Sequence, residues 1–366
     1  MEKWAWRRGL VLAGLLLAGL LPRAEAAVSF EGKTVRFIVG SPSGGGTDLT
    51  ARLLQRALSK YVPGNPTIIV QNMPGASGVV ATNYFAMQAP ADGLTLLVGS
   101  TSEVTPDVVR KNPVVHYDPL TFQYIGGFAT TGVVVVANKA AFARMQSGTG
   151  EPINVAQVGS ARTGAQIALW GAEYLGWRIR WISGYAGSSQ LTLAMLKGES
   201  DLTDTAGMSQ LKSLLADNRF AAVAQMGQLT KQGTVQRRGA FPEVPLFSEL
   251  VGPKLSGKAV TAFRNWQRTN ELGKYFALPP KTPPEIVQAW RHSFAGMEED
   301  PDFKEAASAQ LDPDYNLLSH QETLKIVQDM AAIPEEDLAY LIHLREKYGL
   351  PGTSSDKKEK KEKTEK

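Results

Sequence analysis

The most concentrated chemistry in the chain lies between Val35 and Leu54, VRFIVGSPSGGGTDLTARLL. An apolar run there breaks into Ser41, Ser43, Gly44, Gly45, Gly46, Thr47 and Asp48, then resumes as an amphipathic helix-like pattern. Glycines between a strand and a helix let backbone approach a ligand, and the free N–H groups of a helix start favour an anion. Nucleotide phosphate is the first anion to test. Against GxxxxGK[ST] the stretch matches at Gly40, Gly45 and Thr47, but Gly46 stands where the lysine belongs, so the β/γ-phosphates lose their main cation. Against GxGxxG, Gly44 and Gly46 match and Leu49 takes the place of the last glycine. Both nucleotide readings fail at one required residue.

The same logic of strand, small polar loop and helix start returns at Ser160, Arg162, Thr163 and Gly164. Arg162 is either a planar fork for a second carboxylate or a solvated loop charge. Tyr185, Gly187 and Ser188 stand between another strand and helix and could close over a ligand. Tyr185 alternatively packs at a hinge with its hydroxyl in water. Ser100, at a strand-like end, and Asp204 complete the candidate ligand-binding set. Asn72, Pro74, Gly75 and Gly78 read as a tight turn entering a helix, shaping rather than contacting. Trp170, Trp177 and Trp181 read as packing residues of the second half. Catalysis finds no pattern: the four histidines are scattered without HExxH, no GxSxG elbow occurs, and no cysteine exists for a thiolate metal site or a disulfide. The expected cofactor and metal content is none.

The elements that must position these residues alternate. TVRFIVG, PTIIVQN and LTLLVGS read as strands separated by the helices TDLTARLLQRALSKYV and GVVATNYFAMQ, which implies parallel βαβ units. A second set follows in GVVVVANK, a helix after Lys139, INVAQVGS, GAQIALWGAEYLGW, RIRWIS and LTLAMLKG. From Thr282 the chain reads as mostly helical. Val-Gly-Ser occurs at Val39, Val98 and Val158, each where an apolar strand stops. In open α/β sheets ligands bind outside the carboxyl ends of strands, so three strand ends direct small polar groups toward a crevice.

The 366 residues suit about two domains. Lys3, Arg7 and Arg8, the apolar run Gly9 to Leu21 and the Ala24-Glu25-Ala26 site read as a cleavable signal peptide. The run is shorter than the roughly 17 to 25 residues a spanning helix needs, and Arg7-Arg8 leaves a twin-arginine route open beside the general one. The C-terminal DKKEKKEKTEK has nothing apolar to bury and reads as a solvated tail. These two ends account for the formal charge of +4, leaving a neutral body without the basic footprint of a nucleic-acid binder.

IVGSPSGGGTDLTARLL, IIVQNMPGASGVVATNYFA, PADGLTLLVGS, HYDPLTFQYIGG, VAQVGSARTGAQIA, GYAGSSQLTLAMLKGESDLT and LPPKTPPEIVQAW come in an order and spacing that resemble the substrate-binding proteins of tripartite tricarboxylate transporters, the Bordetella uptake gene (Bug) family. The likeness runs from about Lys33 to about Leu350. It implies an α/β fold of two lobes, the periplasmic binding protein or Venus-flytrap fold, with a helical C-terminal segment and no catalysis. It also implies a small carboxylate ligand between the lobes, a membrane permease of large and small subunits as partner, and a periplasmic monomer. Family members hold one ligand carboxylate through backbone amides and waters at the glycine-rich loops, which gives SPSGGGTD that role here; a monoanion at a helix start needs no lysine. Asp48 would repel such a carboxylate, so it caps the helix or meets a ligand hydroxyl or amine. Arg162, where relatives usually carry a small residue, and the lysine-rich tail depart from the family pattern. The expected division is 1–26 signal peptide, 27–122 first lobe, 123–244 second lobe, 245–350 return to the first lobe with C-terminal helices, and 351–366 tail. A ligand-presenting sensor for a membrane receptor is the alternative function, and a nucleotide-binding or hydrolytic enzyme a more distant one.

Overall fold

The computed structural model describes residues 28–350 apart from 161, 230–233 and 314. The expected signal peptide and charged tail lie outside the described residues. In chain order the first lobe contains β1 (Thr34–Val39), α1 (Gly46–Leu58), β2 (Thr67–Asn72), α2 (Val79–Gln88), β3 (Thr95–Ser100), α3 (Pro106–Lys111) and β4 (Gln123–Ala129). The second contains β5 (Val134–Asn138), α4 (Lys139–Ser147), β6 (Ile153–Gln157), α5 (Thr163–Leu175), β7 (Ile179–Ser183) and α6 (Ser188–Leu196). It continues with β8 (Leu202–Thr205), α7 (Met208–Leu215), β9 (Phe220–Gln225), the short β10 (Gln228–Leu229) and β11 (Val235–Gln236), α8 (Phe247–Val251) and α9 (Lys258–Arg268). The chain then returns through β12 (Leu272–Leu278), α10 (Pro284–Glu298), α11 (Pro301–Gln310), β13 (Leu317–Leu318) and α12 (His320–Ala331), and crosses again to α13 (Glu335–Lys347).

Local sequence explains where the late helices begin. Pro284 and Pro301 occupy first helical turns, where a missing N–H costs nothing. The Asp300 carboxylate accepts from the Asp302 amide at 2.9 Å, and Ser319 with Glu322 closes a reciprocal capping box on α12.

The first sheet has the order β13-β4-β12-β3-β1-β2 and the second β7-β6-β8-β5-β9. The expected parallel units are present where βαβ connections exist: β1 pairs parallel with β2 and β3, and β6 with β7 and β8. β12 and β5 run antiparallel to their neighbours. Each enters its sheet from the other lobe, so each starts at the edge where the parallel strands end.

Two expected boundaries need correction. Gln123–Ala129, assigned to the second lobe, pairs with β12 and β13 in the first sheet. Gly126 and Gly127 are required there, since a Cβ would lie 2.3 Å from the Phe294 ring and 2.8 Å from the Lys274 carbonyl. Residues 245–350 do not return wholly to the first lobe either. Phe247, Phe263, Trp266, Leu341 and Leu344 share one apolar core with Trp170 of α5. Trp170 stacks on Tyr174 and Tyr340 and meets Phe263 edge-on, so burial of its indole draws α8, α9 and α13 to the second lobe. Trp177 belongs to the same core, and Trp181 packs against it while donating to the Tyr348 carbonyl at 2.9 Å.

The lobes are joined by the crossing segments and by a fully buried ion pair. Arg238 of the second lobe donates from Nη2 and Nε to Asp312 of the first at 2.5 and 3.0 Å, and from Nη1 to the Gly132 carbonyl at 3.0 Å.

Candidate functional site

A cavity of about 240 Å³ lies between the two lobes, at the ends of the parallel strands. Four helices start at its wall: Gly45, Arg162, Gly187 and Gly207, the residues preceding α1, α5, α6 and α7, all line it. None of the four caps its helix with a side chain, which leaves first-turn amides and four positive dipole ends at one space. Such a space attracts an anion.

In the first lobe the glycine loop is held from behind. The Asp48 carboxylate is buried and accepts from the Gly44 amide, Arg52 Nε and Asn72 Nδ2, each at 2.9 Å. Burial would raise this carboxyl, but the bonds from Arg52, Gly44 and Asn72 outweigh it and hold it below the usual range. Asn72 also donates to the Ser41 carbonyl at 2.9 Å, which is how the turn after β2 shapes the site without facing the cavity. Gly44 lies at φ +77°, a conformation that favours glycine. Ser41, Gly45, Gly46 and Thr47 face the cavity, and Ser41 Oγ is buried with no hydrogen-bond partner.

In the second lobe Arg162, Thr163, Gly187, Ser188 and Asp204 line the cavity, as Ser100 does from the first. Ser188 Oγ accepts a long bond of 3.4 Å from the Gly46 amide, across the lobes. Thr163 Oγ1 meets Asn270 at 2.6 Å in the segment that crosses back. Arg162 Nε is buried without a partner. Burial pushes the Asp204 carboxyl up to about 6, against the pull of Arg162 and the Gly164 amide.

Several expected residues stand elsewhere. Ser43, Gly44, Asp48, Ser160, Gly164 and Tyr185 are not among the residues lining the cavity. Asp48 organises the loop, Ser160 offers its carbonyl to Gln166 Nε2 at 2.5 Å, and Gly164 is small because a Cβ would meet the Asp204 carboxylate. Tyr185 donates to Glu199 at 2.8 Å on an exposed face. Two charged residues went unread. Lys274 of β12 lines the cavity, and Glu103 is buried behind it, accepting from the Ser100 amide at 2.5 Å and the Ser100 hydroxyl at 3.0 Å. Burial raises the Glu103 carboxyl above its ordinary value.

Fold and cavity together define a two-lobed binding protein of the Venus-flytrap kind. The family model described as tripartite tricarboxylate transporter family receptor matches residues 50–336, and the chain belongs to that family. Protein BugT of Bordetella pertussis is 38% identical over 96 residues, 26% of this chain and 28% of that one, so this alignment covers little of either. A UPF0065 protein in the gbd 5′ region of Cupriavidus necator is 27% identical over 319 residues, 83% of this chain and 86% of that one. Among solved structures, periplasmic binding protein BugD superposes with a TM-score of 0.66 at 20% identity, covering 88% of this chain and all of that one. A Rhodopseudomonas palustris protein with adipate gives 0.66 at 20%, covering 86% and 97%, and MatC of the same organism with bound malate gives 0.63 at 19%, covering 82% and 96%. At these identities the structures establish the shared fold.

Proposed function

We propose that this protein is an extracytoplasmic solute-binding protein that captures a small organic carboxylate between its lobes and delivers it to a membrane transporter of the tripartite tricarboxylate type. The observation that carries this reading is the convergence of four uncapped helix starts on one cavity where Ser41 Oγ and Arg162 Nε are buried without partners. Buried polar groups are ordinarily satisfied, so two orphan atoms on residues that line a common space leave hydrogen-bonding capacity there for a guest. One carboxylate of the guest meets the amides at Gly46 and Thr47 and the Ser41 hydroxyl. Arg162 meets a distal polar group from the other lobe. Leu49, Val158, Leu191 and Leu272 supply apolar wall for the carbon chain between them. Malate and adipate in two structures of this fold support an acid of that size. The protein works in the periplasm as a single chain, and the cleft binds its guest without reacting with it. No helix among the described residues is long and apolar enough to cross a membrane.

Thermal denaturation against a panel of mono-, di- and tricarboxylates and aromatic acids tests the reading. A matching ligand at a hundredfold excess over Kd adds about 2.7 kcal/mol of stability, a clear upward shift in Tm. No shift from any acid, with a nucleotide released on denaturation, replaces the reading with a nucleotide-binding one.

A further inference from the structure

A second, small cavity of about 20 Å³ lies where α3 of the first lobe meets α5, α9 and α13 of the second. It adjoins the cleft, since Thr105 and Thr269 line both spaces. Three residues on its wall each carry a buried side-chain atom with no hydrogen-bond partner among the described residues: Thr105 Oγ1, Gln166 Oε1 and Arg345 Nε. Thr105 and Gln166 are only 5% and 2% exposed. Buried polar atoms are ordinarily paired, so three on the wall of one small space form a site rather than a scatter.

The rest of that wall is matched. Asp107 takes Arg345 Nη2 across the lobes at 2.6 Å, and Asp337 takes Thr261 Oγ1 and Asn265 Nδ2 at 3.0 and 2.6 Å. Thr269 donates to the Trp266 carbonyl at 2.7 Å. Gln166 is oriented by the Ser160 carbonyl, which only accepts, so the Gln166 nitrogen faces it and Oε1 is left over. Burial would raise the Asp107 carboxyl, and Arg345 together with the Thr105 hydroxyl holds it below its ordinary value. The Thr105 proton is drawn to that carboxylate, and its oxygen is left to accept. The unmet needs are therefore two acceptors and one donor.

Those needs select the guest. The Arg345 guanidinium repels a cation, and the Asp107 carboxylate and two acceptor oxygens repel an anion. Water has two protons to give and a lone pair to receive. Buried waters make about three hydrogen bonds and need roughly 10–15 Å³, which this cavity provides. We propose that the cavity is a binding site for a single water molecule, which donates to Gln166 Oε1 and Thr105 Oγ1 and accepts from Arg345 Nε. The water ties Thr105 of the first lobe to Gln166 of the second. Gln166 in turn holds the Ser160 carbonyl through its side chain at 2.5 Å and the Arg162 carbonyl through its backbone N–H at 3.1 Å. Gln166 is thus a positioning residue for the Arg162 turn, and the site stands whatever solute the cleft takes.

Nuclear magnetic resonance of the ¹⁵N-labelled, ligand-free protein tests the site. The Arg345 Nε–H is expected to show a cross-peak at the water frequency with opposite signs in NOE and ROE spectra, the mark of a bound water rather than of proton exchange. Thr105→Val removes one acceptor at nearly constant shape; it is expected to abolish the cross-peak and lower Tm by about 1–4 °C, and Thr105→Ser to restore both. Gln166→Met removes the other acceptor and the Ser160 bond, so the cross-peak is expected to vanish and the Arg162 Nε–H signal to shift. An absent or exchange-type cross-peak in the wild type overturns the site. So does a full cross-peak in both Thr105→Val and Gln166→Met, or a Thr105→Ser variant as impaired as Thr105→Val. A crystal soaked in bromide is expected to show one oxygen-sized peak between the three atoms, and anomalous bromide scattering there would replace the water with an anion.

Discussion

The two loops that face each other across the cavity are built in opposite ways. The first-lobe loop, residues 41–48, offers backbone. Its one nearby carboxylate, Asp48, is turned away from the cavity and consumed in fixing Gly44, Arg52 and Asn72. The second-lobe loop places a charged side chain, Arg162, among Glu103, Asp204 and Lys274, which arrive from three other elements. An amide rim reads the charge and size of an anion and little else, because amides are the same whatever the sequence. A side-chain cluster can be retuned by one substitution. On the proposed reading, one end of the cleft fixes the acid group and the other decides which acid.

Breaking the amide end has the largest effect. In Gly45→Val the new Cβ lies 3.0 Å from the Pro42 carbonyl and 3.1 Å from Ser41 Oγ, so the branched side chain crowds the rim, and titration is expected to show loss of every acid alike. Asp48→Ala should act more broadly. It leaves the Gly44 amide without its acceptor and Asn72 Nδ2 with the Ser41 carbonyl alone, and denaturant unfolding should show a loss of about 2–4 kcal/mol, with mono- and diacid affinities falling together. Because Asp48 is held below the usual carboxylate range, its contribution is present above its unfolded value of about 4 and is lost as pH falls through the folded one.

Arg162→Ala separates the two ends of the cleft instead. A diacid should lose about 1.5–3 kcal/mol, the range for hydrogen bonds to a charged group, while a monoacid is barely affected. Equal losses in calorimetry would reduce Arg162 to shaping its loop. Ser41→Ala gives the smallest effect. Its hydroxyl has no partner in the free protein, so folding stability should be unchanged or slightly higher, and acid affinity should fall by about 0.5–1.5 kcal/mol.

The cavity wall was legible where chemistry is local. The glycine run between strand and helix, and two of the Val-Gly-Ser strand ends, placed Ser41 and Ser100 at the cavity. At the third, Val158 faces the cavity and Ser160 is buried behind it. Local pattern leaves both readings of Tyr185 open, because a loop aromatic near a helix start looks the same whether it closes over a ligand or, as here, packs beside Leu191 and donates to Glu199 on an exposed face. Lys274 and Glu103 were beyond reach of local pattern. They lie 171 positions apart in sequence, and β12 brings Lys274 to the site only by inserting antiparallel between β3 and β4. The same insertion hid the first-lobe membership of β4, since its partners β12 and β13 lie far along the chain and nothing local marks which sheet it joins. Arg162 was visible as a charge, but that its Nε is buried without a hydrogen-bond partner is a tertiary fact.

Nuclear magnetic resonance of the ¹⁵N-labelled protein tests the division of labour most directly, by following the Gly46 and Thr47 amide signals and the Arg162 side-chain Nε–H signal during titration with a bound diacid and its matching monoacid. Both acids should shift Gly46 and Thr47, and only the diacid should shift Arg162 Nε–H. Saturating ligand that leaves the Gly46 and Thr47 amides unmoved would contradict the account, because the carboxylate would then sit somewhere other than the start of α1.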